Sequence, residues 1–308
     1  MRHGDAVEYL ASMEVHVVLR KLFFLWTLTV LPVTPLLAQE IFSDGFESGD
    51  AGRWHDVVGW EVLDALRFSD SDLRDPHVFV DTGFPLGCRD VTDEGVGGVV
   101  PSVNEEVETS MTTDGDDDGD LDSSTLLIFR PFNAGITDGS VILTKADCTA
   151  PAENTQCRHS PEASPRYLRY DGLPAGPCLE VIPGTTSGYT PVITEPGPEC
   201  FLTHEAVILV DLNGTPVPLH NARIGAQETG GTIDHTEPGI LMGFLFESDA
   251  DTTLLPDDTP LIGGQPLSSV LPGGTDCCAP GDDRDTLDGV SGWWMYFNWV
   301  GDSVPFTP

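Results

Sequence analysis

The chain has 308 residues, 14 of them basic and 50 acidic, for a formal net charge of −36 at neutral pH. A field of that sign repels nucleic acid and anionic lipid surfaces and draws in cations, which argues against a nucleic-acid partner. The apolar fraction of 40%, with 6 Trp and 14 Phe, excludes wholesale disorder, so a core is expected.

At the N-terminal end, Arg20 and Lys21 precede the apolar run 22–31, and the stretch closes near Leu37, Ala38 and Gln39. That order is the pattern of a secretory signal peptide. The apolar run is short for a membrane span, Pro32 and Pro35 interrupt the residues after it, and no later stretch reaches the roughly 18–20 apolar residues that a spanning helix needs. The expected organisation is a signal peptide at 1–38, an exposed lead-in at 39–55, and a single β-rich domain at 56–308, with a small N-terminal subdomain ending near Val100 as a variant. Leu36 stands where a cleavage site favours a small residue, so an uncleaved anchor is the alternative. Cleavage would remove Arg2, Arg20 and Lys21 together with Asp5, Glu8 and Glu14, leaving the net charge at −36.

The segment Asp44-Gly-Phe-Glu-Ser-Gly-Asp50, followed by Arg53 and Trp54, resembles a short stretch found just beyond the signal peptide in many secreted proteins of Gram-negative bacteria. The resemblance implies export and carries no activity. The stretch 112–132 and the aromatic run 293–297 likewise resemble uncharacterised secreted bacterial proteins.

Glycine (33) and proline (25) are spread throughout, which suits many short strands joined by turns and disfavours long helices. Strands are expected at 78–80, 125–129, 140–144, 206–212, 215–224, 240–246 and 293–300. A short helix is expected after Ser102, which can cap it with Glu105 three residues on, and Val103, Val107 and Met111 fall on one face. A second short helix is expected at 266–271. The clearest local signal is a hairpin: the apolar arm 206–212, then Asn213-Gly214 for a type I′ turn, then 215–219. Pro216 and Pro218 remove alternate donors from the second arm, which marks it as a sheet edge. Together these elements predict an all-β fold, an antiparallel, jelly-roll-like β-sandwich with one or two short helices and long coil segments.

The strongest motif lies at 114–122, where Asp114, Asp116, Asp118, Asp120 and Asp122 alternate and Gly119 occupies the sixth position. Alternate carboxylates at positions 1, 3 and 5 can converge on one ion, a glycine at position 6 permits the sharp turn, position 7 (Asp120) usually gives a backbone carbonyl, and position 9 (Asp122) binds directly or through water. Calcium suits such a site because it takes six to eight oxygens in flexible geometry, and Leu121 can face inward to anchor the loop. The loop resembles the calcium loops of EF-hands, dockerins and thrombospondin type 3 repeats. It departs from the EF-hand at position 12, where Thr125 replaces the bidentate Glu, and in its exit, which reads as a strand. The departure implies the weak affinity of extracellular modules, roughly 10⁻⁴–10⁻³ M. A solvated acidic loop without metal is the bland alternative.

The seven cysteines all come after the signal, where an oxidising compartment favours disulfides. Cys148 with Cys157 and Cys178 with Cys200 are the expected pairs, each bracketing a polar or Pro-rich stretch, and one cysteine is left over. A second acidic group, Asp282, Asp283, Asp285 and Asp288, lacks alternate spacing; a turn with local side-chain caps and a second cation site both fit it. In the aromatic run, Trp294 and Tyr296 share one strand face and are candidates for stacking on a carbohydrate if exposed. Catalytic signatures are poor: Ser187 and Ser291 miss a G-x-S-x-G elbow by one residue, and His204-Glu205 begins no H-E-x-x-H. The leading expectation is a secreted or periplasmic calcium-binding structural or binding module, with a divalent cation and a carbohydrate or surface protein as partners and no membrane span. Alternatives are a hydrolase of polysaccharide or ester with structural calcium, and adhesion through the edge arm 215–219.

Overall fold

The computed structural model describes residues 64–307, apart from 84, 99, 131–137, 162, 174–177, 213–214, 228–234, 258 and 260. The expected signal peptide, the lead-in, the Asp44–Asp50 segment and the Asn213-Gly214 turn lie outside the described residues. Among the described residues fourteen strands run in order: β1 (Asp64–Asp75), β2 (Phe79–Asp81), β3 (Cys88–Asp90), β4 (Thr125–Arg130), β5 (Asp138–Cys148), β6 (Cys157–His159) and β7 (Arg166–Leu173), then β8 (Cys200–Thr203), β9 (Ala206–Leu212), β10 (Thr215–Gln227), β11 (His235–Phe246), β12 (Asp285–Leu287), β13 (Val290–Val304) and β14 (Phe306–Thr307). Helix α1 spans Val103–Thr112 and α2 spans Glu247–Thr252, and the stretch expected as a second helix is a 3-10 turn, Leu267–Val270.

Eight of these strands, β1, β4, β5, β7, β8, β10, β11 and β13, pair in sequence order, each antiparallel to the next, and β13 returns to β1. The sheet therefore closes into an up-and-down barrel. The all-β class stands, but the expected sandwich is corrected, because a ring with no free edge does not separate into two facing layers. Local alternation of apolar and polar residues is the same in both architectures. What decides between them is the long β1–β13 ladder, from Ala65↔Val304 to Asp75↔Tyr296, a pairing across most of the chain that no short window of sequence displays.

Side-chain alternation divides the buried residues into a filled lumen and two outer clusters. On β4, Leu127 and Phe129 belong to the lumen while Leu126 and Ile128 pack outside, so the run is apolar on both faces. Aromatic rings fill the lumen: Phe68 stacks on Trp299 with centroids 4.3 Å apart, and Phe129 meets Phe201 edge-on at 5.0 Å. Each such buried ring contributes roughly 1.5–3 kcal/mol through burial alone. Gly239 sits opposite Trp299 in the β11–β13 ladder, and a Cβ there would meet the indole at 2.3 Å, so only glycine admits that ring.

The same alternation corrects the expected stacking face. Trp294 is 9% exposed and Tyr296 0%, both in an outer cluster with Leu179, Ile240 and Phe244. The segment 178–200, closed by Cys178–Cys200, lies over them: Ile182 N–H donates to the Tyr296 hydroxyl, which also bonds Thr185 Oγ1. A Pro-rich coil offers no periodicity by which sequence could show that it would serve as a cover.

Strand β1 escapes sequence reading for a different reason. Leu66, Phe68 and Leu73 point inward, but register shifts between Phe68 and Asp70 and between Leu73 and Asp75 break the two-residue period, and Arg67, Asp70 and Asp72 give the stretch a loop-like composition. The β9–β10 hairpin forms as expected, with Thr215↔Leu212 through Leu219↔Ile208 in register. Its second arm pairs with β9 as far as Leu219; at the bulge that includes Asn221 (φ 48°) the strand takes up β11, from His220↔Phe244, and then β8, from Gly225↔Leu202, and so passes into the barrel. Helix α1 begins where Ser102 Oγ accepts from Glu105 N–H at 3.1 Å, and it buries Val107 and Met111. Its last turn has no basic residue of its own, and the buried Arg67 supplies one, donating to the Met111 carbonyl at 2.8 Å.

Candidate metal centre

The loop 114–122 runs from the C-terminal end of α1 to the start of β4, and both of its ends are tied to the helix. Asp122 N–H donates to the Thr113 carbonyl (3.0 Å) and Ser123 N–H to the Ser110 carbonyl (2.8 Å). Between these ties the chain turns through Asp117 (φ 60°) and Gly119 (φ 95°), left-handed values that Asp tolerates and Gly favours. Leu121, 6% exposed, anchors the loop in the outer cluster formed with Cys148 and Cys157.

Within this turn Asp114, Asp116 and Asp122 converge, each offering a carboxylate oxygen within 4.8 Å of the others. Backbone amides hold them there. Asp118 and Gly119 N–H groups donate to the two oxygens of Asp114 (3.0 and 2.9 Å), Asp118 N–H also reaches Asp116 Oδ1 (3.2 Å), and Gly115 N–H reaches Asp122 Oδ1 (2.8 Å). Like charges at this spacing repel by about 1 kcal/mol per pair even in water-like surroundings, and a hard divalent cation reverses the sign of that interaction.

The other two aspartates of the motif lie apart from this group. Asp118 Oδ1 accepts from Asp120 N–H at 2.8 Å, a local turn. The Asp120 carboxylate takes both terminal nitrogens of Arg158, whose Nε lies 3.6 Å from Asp147, and these carboxylates hold the guanidinium pKa above its usual value. The D-x-D pattern could not reveal Arg158, since its only sequence signal is its place one residue after Cys157. The loop opens on a polar groove of about 730 Å³ whose walls include Asp116, Asp122, Lys145, Asp147, Arg158 and Asp211, with Lys145 paired to Asp211.

The cysteines pair as Cys148–Cys157, Cys178–Cys200 and Cys88–Cys278, leaving Cys277 free. The third pair, between β3 and the 272–284 stretch, spans 190 residues and has no local sequence signal. In the second acidic group, Arg284 holds Asp282 through Nε (2.9 Å) and Nη2 (2.8 Å) and Glu247 through Nη1 (2.9 Å). Asp283 accepts from the Tyr189 hydroxyl (2.6 Å), Asp285 caps Thr286 N–H (2.7 Å), and Asp288-Gly289, both at positive φ, turn β12 into β13. Asp282 and Asp285 are thus met by close neighbours in sequence, whereas Asp283 and Arg284 also reach partners far along the chain.

A buried polar cluster lies beside this second group. His77 bonds Asp90 through Nδ1 (2.6 Å) and stacks on Tyr189 with centroids 3.9 Å apart, and Asp75 accepts from Ser187 N–H at 2.8 Å. Burial pushes the Asp75 carboxyl up to about 6; the Ser187 N–H works against that rise and Asp283 adds to it. Asp75 is 3% exposed, so this shifted carboxyl is enclosed by protein. His77, His204, His220 and His235 each pair with an aspartate, at 2.6–3.2 Å. No helix among the described residues is long and apolar enough to cross a membrane.

Comparison with protein-family models, with curated proteins and with solved structures finds no match.

Proposed function

We propose that this protein is an exported, calcium-stabilised binding or structural module in which the 114–122 loop takes up one Ca²⁺ through Asp114, Asp116 and Asp122. The observation that carries the reading is the convergence of three carboxylates from alternate positions, held by backbone amides on a turn that requires Gly119. Calcium fits better than magnesium because three carboxylates in a solvent-facing loop leave several positions for water and do not impose a strict octahedron. Three disulfides and the leader-like run 22–31 support an oxidising location, outside the cell or in the periplasm. The aromatic face expected to stack on sugar is buried, so the ligand of the module is to be sought at the polar groove and not on β13.

A dissociation constant of roughly 10⁻⁴–10⁻³ M implies that 10 mM calcium stabilises the fold by about 1.4–2.7 kcal/mol. Thermal unfolding in 10 mM calcium against excess EDTA tests this. A rise in Tm of several degrees is expected, and superimposable curves would remove the metal role.

A further inference from the structure

We infer that cation uptake at the 114–122 loop is coupled to the Cys148–Cys157 disulfide, so that the site binds the cation at least tenfold more tightly in the oxidised protein. This inference rests on the calcium reading above and concerns how that site is controlled.

The outer arm of the acidic loop is held mainly by one neighbouring element. Leu121 N–H donates to the Cys148 carbonyl at 2.7 Å, Ala150 N–H donates to the Gly119 carbonyl at 3.0 Å, and Arg158 grips Asp120. Cys148, Ala150 and Arg158 all lie within or immediately beside the short stretch that the Cys148–Cys157 bond closes, with a sequence separation of 9. Inside that stretch, Thr149 N–H donates to the Gln156 carbonyl at 3.0 Å and Gln156 N–H to Thr149 Oγ1 at 3.1 Å, which keeps its two ends together. Both sulfurs are buried against Leu121, the side chain that anchors the acidic loop. The bond and the loop therefore share one packing unit.

The groove wall also holds an enclosed hydroxyl, independent of the aspartates. Ser124, 4% exposed, is part of the same wall, and its hydroxyl has no hydrogen-bond partner among the described residues. A polar atom enclosed in this way is destabilising unless something not of the protein satisfies it.

Three carboxylates brought together against their mutual repulsion need a rigid support. Opening the disulfide restores conformational freedom to 148–157, and the two backbone bonds and the Arg158 fork that position Gly119, Asp120 and Leu121 weaken with it. The geometry that the cation requires is then populated only part of the time, and apparent affinity falls by that fraction. Coupling is reciprocal, so a bound cation must protect the bond from reduction by the same factor. A dithiol reductant supplies two electrons and two protons, opening the S–S bond to the Cys148 and Cys157 thiols while its own thiols close to a disulfide.

Two measurements on the full chain test the coupling. Calorimetric titration with calcium is expected to give one site in the oxidised wild type and at least tenfold weaker binding in the Cys148→Ser/Cys157→Ser variant. Equal affinities would overturn the coupling alone, whereas no uptake by the oxidised wild type would overturn the calcium reading and the coupling together. The second measurement needs no variant: the equilibrium fraction of open Cys148–Cys157 across a series of dithiol/disulfide redox buffers, quantified by thiol trapping and peptide mapping, with and without saturating calcium. Calcium is expected to lower the equilibrium constant for opening this bond at least tenfold, with Cys88–Cys278 as the internal reference. An equal shift at both bonds, or none, would overturn the inference.

Discussion

Two acidic stretches of this chain have opposite architecture: 114–122 carries six aspartates in nine residues, and 282–288 carries four aspartates and Arg284 in seven. In 114–122 the aspartates alternate, and Asp114, Asp116 and Asp122 point at one place with backbone amides behind them. In 282–288 the aspartates disperse: Asp282 to Arg284, Asp283 to Tyr189, Asp285 to a backbone amide and Asp288 to a two-residue turn. One stretch gathers three carboxylates at one place, and the other spreads its carboxylates over an arginine, a tyrosine hydroxyl and a backbone amide. Spacing and the counter-charge of Arg284 separate the two.

Their covalent supports provide the largest test of this contrast. Cys88–Cys278 fastens the second stretch across 190 residues, whereas Cys148–Cys157 fastens the first across 9. In the chain-entropy picture, removing the long link destabilises the fold by about 5 kcal/mol and the short one by about 2.5 kcal/mol. Urea unfolding of the two double-serine variants measures both. A short link as important as the long one would mean that 148–157 contributes through packing and not through chain entropy.

Next in size is the pH response of Asp75, which Asp283 of the second stretch helps to perturb. Its folded pKa of about 6 lies above the ordinary value of 3.8, so its contribution to stability is fully present below about pH 4 and is lost as the pH rises through 6. Asp75→Asn is therefore expected to be more stable than wild type at pH 7.5, by on the order of 2–3 kcal/mol, and no more stable at pH 4. A variant that gains nothing at pH 7.5 would show that the Ser187 amide offsets burial in full.

The smallest effects give the sharpest comparison. Arg284→Ala removes the partner of Asp282 and Glu247 at a partly exposed site and is expected to destabilise by less than about 1 kcal/mol, equally with calcium or EDTA. Asp116→Asn is expected to leave the EDTA melt unchanged or raise it slightly, by relieving repulsion, and to abolish the rise with calcium. A calcium-dependent response of Arg284→Ala would place an ion in the second stretch and erase the distinction between the two.

Much of this molecule can be read locally and some of it cannot. Seven expected strands, the Ser102 cap and the buried Leu121 come from signals a few residues long, because alternation, capping and loop spacing are short-range properties. Closure of the barrel depends on β1, whose bulges and charged outer face conceal its inward Leu66, Phe68 and Leu73. Burial of Trp294 and Tyr296 depends on a coil more than 90 residues upstream whose covering role has no period to detect. At the acidic loop, the pattern of five aspartates indicates where a cation would be held, while the division into three converging carboxylates and a pair committed elsewhere requires Arg158 to be placed in space.

A crystal structure of the protein grown in saturating calcium tests the central claim most directly. The expected result is a single ion bound by oxygens of Asp114, Asp116 and Asp122 at about 2.3–2.6 Å, with Asp120 still held by Arg158. Well-ordered carboxylates at those three positions with no ion between them would contradict it.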